Sequence, residues 1–252
     1  MKGKNIVMNF SHAYEEERFF KSPYFEWIDC THLQGTDCYC DPEAAKTIKE
    51  LISPYSPEGI HWIDSGNYHY LTKFWTDKID RPFSMIVFDH HPDMQPALFS
   101  ELLSCGCWVR AMLDTNPLLQ KVCIIGASDS LKKETEGYDN RLRYYSEQTM
   151  QHENVWKEFS HNHLNEPVYV SVDKDVLAPE YAATNWDQGS LTLEELKKIL
   201  SIIMHNERII GIDICGEAPE SMGQMHDWFE SEEKNEHTNE ELFSFIAHYI
   251  KK

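Results

Sequence analysis

Ser84-Met85-Ile86-Val87-Phe88-Asp89-His90-His91-Pro92-Asp93 is an apolar run that stops abruptly in four ionisable side chains. Its first half is short, apolar throughout and rich in strand-forming residues, the pattern of a strand covered on both faces. Asp89, His91 and Asp93 then follow at i, i+2 and i+4. In an extended segment this spacing places all three on one side, an arrangement suited to holding a metal ion. A second apolar run, Pro167-Val168-Tyr169-Val170, leads into Ser171-Val172-Asp173-Lys174-Asp175. Two carboxylates again alternate at the carboxyl end of an expected strand.

Further runs of strand character cover residues 5–10, 59–63, 121–126 and 208–214. Between them lie helical patterns. Asp41-Pro42-Glu43 reads as a helix start, with Asp as cap and Pro in the first turn, and Ala45, Ile48, Leu51 and Ile52 give that helix one apolar face. A helix is expected over 98–113, interrupted by Cys105-Gly106-Cys107. Thr192-Leu193-Glu194-Glu195 is a capping box, and the helix after it buries Leu193, Leu196, Leu200 and Ile203. A second capping box, Thr238 to Glu241, predicts a terminal helix with Leu242, Phe245, Ile246 and Tyr249 inward. The polar stretch 128–165 predicts a short helix and loops. Apolar strands alternating with amphipathic helices indicate an α/β fold: a three-layer sandwich around a mostly parallel sheet. No repeat, low-complexity tract or linker divides the chain, so residues 1–252 are expected to form one domain. In such sheets ligands bind beyond the carboxyl ends of the strands, where His69, the Asp89 and Asp173 clusters and Glu217 all fall.

Composition narrows the functional classes. The 252 residues carry 42 acidic and 23 basic side chains, a formal charge of -19. Nucleic acid is a poor partner for such a surface, whereas a cationic small molecule or basic peptide is drawn to it. No stretch approaches the roughly 20 apolar residues of a membrane span, and residues 1–5 do not open a signal segment, so a cytoplasmic protein is expected. Seven cysteines in no regular framework are expected to stay reduced. The Cys38-Tyr39-Cys40 and Cys105-Gly106-Cys107 pairs are tighter than zinc-binding pairs and read as ordinary thiols. His90 packs or bonds behind the ligands, His226 and Asp227 sit in an exposed loop, and the acidic run 230–241 is a solvated connection.

Four carboxylates and two imidazoles suit two divalent ions, with manganese favoured by the oxygen-rich set. Two ions about 3.5–4 Å apart would share carboxylates and a water that loses a proton near neutral pH. The resulting hydroxide suits hydrolysis at a planar carbon or a phosphoryl group.

Four segments, in order, resemble the ureohydrolase (arginase and agmatinase) family: Gly66-Asn67-Tyr68-His69, Asp89-His90-His91-Pro92-Asp93, Ser171-Val172-Asp173-Lys174-Asp175, and the strand end Gly211-Ile212-Asp213-Ile214-Cys215-Gly216-Glu217. Asp187-Gln188-Gly189-Ser190-Leu191-Thr192 is similar to the family's Gly-Gly-Leu-Thr turn. The resemblance implies an arginase-like fold and two Mn2+ ions. It places His69, Asp89, Asp93 and Asp173 on one ion, and His91, Asp89, Asp173 and Asp175 on the other. It implies that Asp93 orients a hydroxide that attacks a guanidinium carbon, releasing an amine and urea. Members commonly form trimers or hexamers, which leaves a homo-oligomer open.

The departures bear on the substrate. Where arginases carry an Asn- and Ser-rich run that recognises the carboxylate of free arginine, this chain has Met94-Gln95-Pro96-Ala97-Leu98. The proton-shuttling His of the family falls at Ser104-Cys105-Gly106-Cys107. Its guanidinium-binding Glu falls at Gly216, with Glu217 one residue later, and a bulge is needed to bring Glu217 onto a cationic substrate. Agmatine-like compounds or peptide-bound arginine therefore fit better than free arginine. Two alternatives stand beside this reading. Asp89-His90-His91 resembles the signature of a manganese phosphodiesterase family, and the altered pocket is compatible with a metal-binding relative of changed activity.

Overall fold

The computed structural model describes residues 3–99, 102–150, 164–219 and 225–250, and the side chains of all these but 225–229 and 250. Eight strands form one sheet: β1 (Lys4–Asn9), β2 (Phe25–Asp29), β4 (Gly59–Trp62), β5 (Phe83–Phe88), β7 (Leu119–Ala127), β8 (Leu142–Ser146), β9 (Val168–Asp173) and β10 (Ile209–Cys215). Their order is β2-β1-β4-β10-β9-β5-β7-β8, and every pairing is parallel. The central strands β4, β5 and β9 are buried at every residue, which is why they read as continuous apolar runs rather than alternating ones. A separate antiparallel pair joins β3 (Tyr39–Cys40) to β6 (Leu103–Ser104).

Alternate residues of the strands feed two cores. Met8, Met85, Val87 and Ile124 face one side, with Ala44, Ile48 and Ile52 of α1 (Pro42–Ile52), Phe74 and Trp75 of α2 (Leu71–Thr76), and Trp108 and Met112 of α3 (Trp108–Thr115). Val7, Trp62, Phe88, Val170 and Ile212 face the other. There they meet Met150 of α4 (Glu147–Met150), Leu196, Leu200 and Ile203 of α5 (Leu193–Asn206), and Leu242 and Ile246 of α6 (Met225–Ile250). This is the expected sandwich of helices on both faces of a parallel sheet. Asp41 caps α1 by accepting from Ala44 N at 2.8 Å, and the capping box Thr192/Glu195 opens α5. No helix among the described residues is long and apolar enough to cross a membrane.

Several local expectations are corrected. The helix expected over 98–113 is confined to α3; β6 and a turn at 105–107 precede it. The stretch 128–165 contains the edge strand β8, and β2 forms the other edge. The acidic run 230–241 is helix, not a connection: α6 begins at Met225, and Thr238 lies inside it, donating to the Tyr181 carbonyl (2.5 Å). His226 and Asp227 thus lie in helical backbone rather than a loop, and their side chains fall outside the described residues.

Candidate metal centre

The candidate ligating side chains converge beyond the carboxyl ends of β5 and β9, although not by strand alternation. β5 ends at Phe88, the chain bends at His90 and His91, and Asp93 takes φ +51°. Asp tolerates this left-handed conformation better than most residues. The bend is pinned by side chains of the cluster itself. Asp89 Oδ1 accepts from His91 N (2.6 Å) and Asp175 Oδ1 from His90 N (2.9 Å). After β9 a single 3-10 turn, Lys174–Val176, replaces extended chain, and Asp173 Oδ1 accepts from Asp175 N (2.9 Å).

Two foci result. Around the first, His69 Nδ1 lies 3.0 Å from Asp89 Oδ2, 3.2 Å from Asp93 Oδ2 and 3.5 Å from Asp173 Oδ2. Around the second, His91 Nδ1 lies 2.8 Å from Asp175 Oδ2 and 3.5 Å from Asp89 Oδ1. Asp89 presents one oxygen to each, so it belongs to both groups. All six side chains are buried except His91, whose side chain is 25% exposed. They sit in a cavity of about 190 Å³, whose other walls include Tyr39, Gln95, Cys105, Glu134 and Trp186.

The hydrogen bonds behind His69 decide its tautomer. Ser171 Oγ donates to Asp213 Oδ1 (2.5 Å), so its one proton is committed. His69 Nε2, 2.8 Å from Ser171 Oγ, must therefore be the donor in that contact. In its neutral form the ring turns the Nδ1 lone pair toward three carboxylate oxygens. Burial opposes the charged form, yet the ring is raised well above its ordinary range, its hydrogen bonds to Asp89 and Asp93 favouring a proton at that nitrogen. Lone pairs facing lone pairs in a buried space repel unless a cation or a proton lies between them.

The titration directions carry the same message. Burial, then the charge of Asp89, pushes the Asp93 carboxyl up to about 7. Burial also raises Asp173 and drives Asp175 well above the carboxylate range. For Asp89 burial acts upward too, but hydrogen bonds from His69 and His91 outweigh it and hold the group low. Burial opposes the charged form of His91, yet Asp175 and Asp89 raise it to about 12. The cluster is short of positive charge and takes up protons in place of it. Mixed carboxylate and imidazole donors of this kind fit divalent cations of the manganese type.

Glu217 stands elsewhere. Gly216 adopts φ +90°, and a Cβ on it would lie 2.5 Å from Asp173 Oδ1 and 2.7 Å from Lys174 N. No side chain fits at that position. The next residue turns away from the cavity: Glu217 is buried, accepts from Lys174 Nζ, and accepts from Asn239 Nδ2 at 2.9 Å. It is absent from the cavity wall. Expecting a bulge to carry Glu217 onto the substrate is thus corrected by a glycine that sends its carboxylate to Lys174.

Sequence reading missed three neighbours. Cys215 Sγ donates to Asp173 Oδ2 (3.1 Å) and groups with His69 and Asp173; its place two residues after Asp213 on one strand was the available signal. Trp108 Nε1 donates to Asp93 Oδ2 (2.5 Å). Trp186 packs near the His91 ring, 5.8 Å between centroids, and donates to Asn67 Oδ1 (2.9 Å). Neither tryptophan carries a local motif.

Residues 60–225 match the model described as Arginase family. An uncharacterized protein of Thermotoga maritima is 32% identical over 245 residues, 97% of this chain and 91% of that protein. Among solved structures, proclavaminate amidino hydrolase from Streptomyces clavuligerus superposes with TM-score 0.66 at 15% identity, covering 94% of this chain and 92% of that one. A formiminoglutamase variant of Trypanosoma cruzi with bound Mn2+ gives TM-score 0.67 at 10% identity, covering 94% of each chain. At these identities the structural matches show the shared fold.

Proposed function

The chain belongs to the arginase family, and from that premise we propose that it is a dinuclear manganese hydrolase cleaving a C–N bond of a guanidino or related amidine substrate. The observation that carries this reading is the aim of His69 Nδ1 at three carboxylate oxygens within 3.5 Å, beside a second imidazole–carboxylate group that shares Asp89. His69, Asp89, Asp93 and Asp173 would hold one Mn2+, and His91, Asp89, Asp173 and Asp175 the other, with Asp89 and Asp173 common to both. Manganese bound there supplies Lewis acidity and lowers the pKa of water.

The chain's own groups supply the rest. Asp93, besides holding an ion, would accept a hydrogen bond from the attacking water and orient it. Trp108 fixes that carboxylate by its indole N–H. Trp186 and Tyr39 give the cavity an aromatic rim beside the Glu134 carboxylate, and the acidic surface draws cations toward it. Met94 is fully buried and no Asn- or Ser-rich run follows Asp93, so the described residues offer no clamp for an amino-acid carboxylate. This supports agmatine-like compounds or peptide-bound arginine as substrates, with urea as product. The test is urea release by the manganese-loaded protein from agmatine, 4-guanidinobutyrate, arginine and arginyl peptides. Urea from the first two or from peptides, and little from arginine, is expected. Phosphate release from nucleotides without urea from any guanidino compound would replace this reading with a phosphoesterase.

A further inference from the structure

The two Cys-x-Cys segments, 67 positions apart by number (105 minus 38), meet across the β3–β6 pair. Tyr39 faces Ser104 and Cys40 faces Leu103, so one further step of the antiparallel register sets Cys38 opposite Cys105. The ladder continues that far: Cys105 N donates to Cys38 O at 2.9 Å. Cys38 leaves strand geometry at φ +57°, and the two thiols lie within hydrogen-bonding reach of each other. Both side chains are partly exposed, whereas Cys30, Cys40, Cys107, Cys123 and Cys215 are buried. Both also line the cavity that holds the ligand cluster.

From this register and exposure we infer that Cys38 and Cys105 form a peroxide-oxidisable dithiol that closes reversibly to a disulfide at the wall of the cavity. The inference does not rest on the reaction proposed above.

The two thiols divide the roles. A hydrogen bond from Cys105 holds the Cys38 thiol below its ordinary range, and the same bond pushes Cys105 up. Cys38 is therefore the thiolate that attacks, and Cys105 the thiol that resolves. Cys38 sulfur attacks one oxygen of hydrogen peroxide; an S–O bond forms, the O–O bond breaks, and the departing hydroxide becomes water on protonation. Cys105 sulfur then attacks Cys38 sulfur; the S–S bond forms, the S–O bond breaks, and the Cys105 proton leaves with the hydroxyl as a second water. The sulfurs together lose two electrons and the peroxide gains them. The closed bond would tie the loop before β3 to the turn 105–107, which runs directly into Trp108 and its bond to Asp93. Oxidation state would thereby reach the wall of the metal centre without touching a ligand.

The test is peptide mass mapping of the full-length reduced protein after brief hydrogen peroxide, with free thiols alkylated before digestion. The expected result is a Cys38–Cys105 linked peptide that dithiothreitol reverses. In Cys105→Ser, Cys38 should accumulate a sulfenic acid that dimedone traps; in Cys38→Ser, neither the link nor the adduct should form. A link through another cysteine, or irreversible oxidation of Cys38 in the wild type with no link, would overturn the inference. Mapping the wild type decides the matter even if a variant folds poorly.

Discussion

Asp173, Lys174 and Asp175 are consecutive, yet they serve two buried clusters of opposite character. Asp173 and Asp175 join His69, Asp89, His91 and Asp93, a set with no Lys or Arg in its cavity wall among the described residues. Lys174, fully buried, points the other way and donates to Glu217 and to Asn239 Oδ1 (3.0 Å). Asn239 in turn donates to Glu17 Oε2 (2.8 Å), whose carboxyl is raised strongly by burial and then by the charge of Glu217. The second cluster brings its own cation in Lys174, so its charge is answered within the chain. The first has carboxylates and no cationic side chain of fixed charge. The difference teaches that a buried acidic cluster signals an imported cation where its internal counter-charges are imidazoles that must take up protons to supply them.

The largest expected effect comes from removing the residue shared by both groups of the first cluster. Asp89→Ala should reduce manganese affinity by more than the roughly 10–100-fold that loss of an outer hydrogen-bond partner costs, with urea release falling in step. Metal content and turnover at the wild-type level would dissolve the contrast between the clusters. Breaking the second cluster should act on stability instead. Lys174→Met leaves Glu217 buried without its cation and should cost about 3–5 kcal/mol in denaturant unfolding. Adding Glu217→Gln to that variant should restore most of the loss, a result that a contact of Lys174 with the ions would not give.

A smaller, separable effect is expected from the hydrogen bond behind His69. Ser171→Ala removes the acceptor that orients His69, and manganese affinity should drop about 10–100-fold, the range typical of such partners. Unchanged affinity would show that His69 is oriented by other contacts. The smallest effect concerns a buried imidazole whose register partner on the next strand is Asp213. His61 stacks on Trp75 (3.7 Å between centroids) and lies 2.9 Å from Tyr169 Oη. Burial lowers its pKa from 6.5 to about 3. Between those values the unfolded chain binds a proton that the fold refuses, so stability falls as pH drops through that window. His61→Gln should flatten the slope by up to about 1.4 kcal/mol per pH unit. An identical slope in both proteins would assign the acid loss to other groups.

What the sequence disclosed follows from where its information is local. The central strands were legible because burial on both faces makes them apolar at every position. The edge strands were not: Phe25-Glu26-Trp27-Ile28-Asp29 buries only Phe25 and Ile28, and Leu142-Arg143-Tyr144-Tyr145-Ser146 carries polar side chains through its middle. The first half of α6 escaped reading because its order comes from distant partners. Lys234 donates to the Pro179 carbonyl, Asn235 pairs with the Ala183 backbone, and Glu236 accepts from Phe19 N. At the site, the order of four motifs disclosed which side chains meet, but the geometry that brings them together is a bend and a 3-10 turn rather than extended strand. The fate of Glu217 was beyond sequence because it turns on a clash between a Cβ at position 216 and the Asp173 carboxylate.

The central claim is that the first cluster is completed by two cations. Manganese titration of the metal-stripped full-length protein, counted by elemental analysis after removal of free ion and located by anomalous scattering, tests it most directly. Two manganese ions per chain, one beside His69 and one beside His91 with Asp89 between them, is the predicted result. A single ion, none, or ions bound away from Asp89 would contradict it.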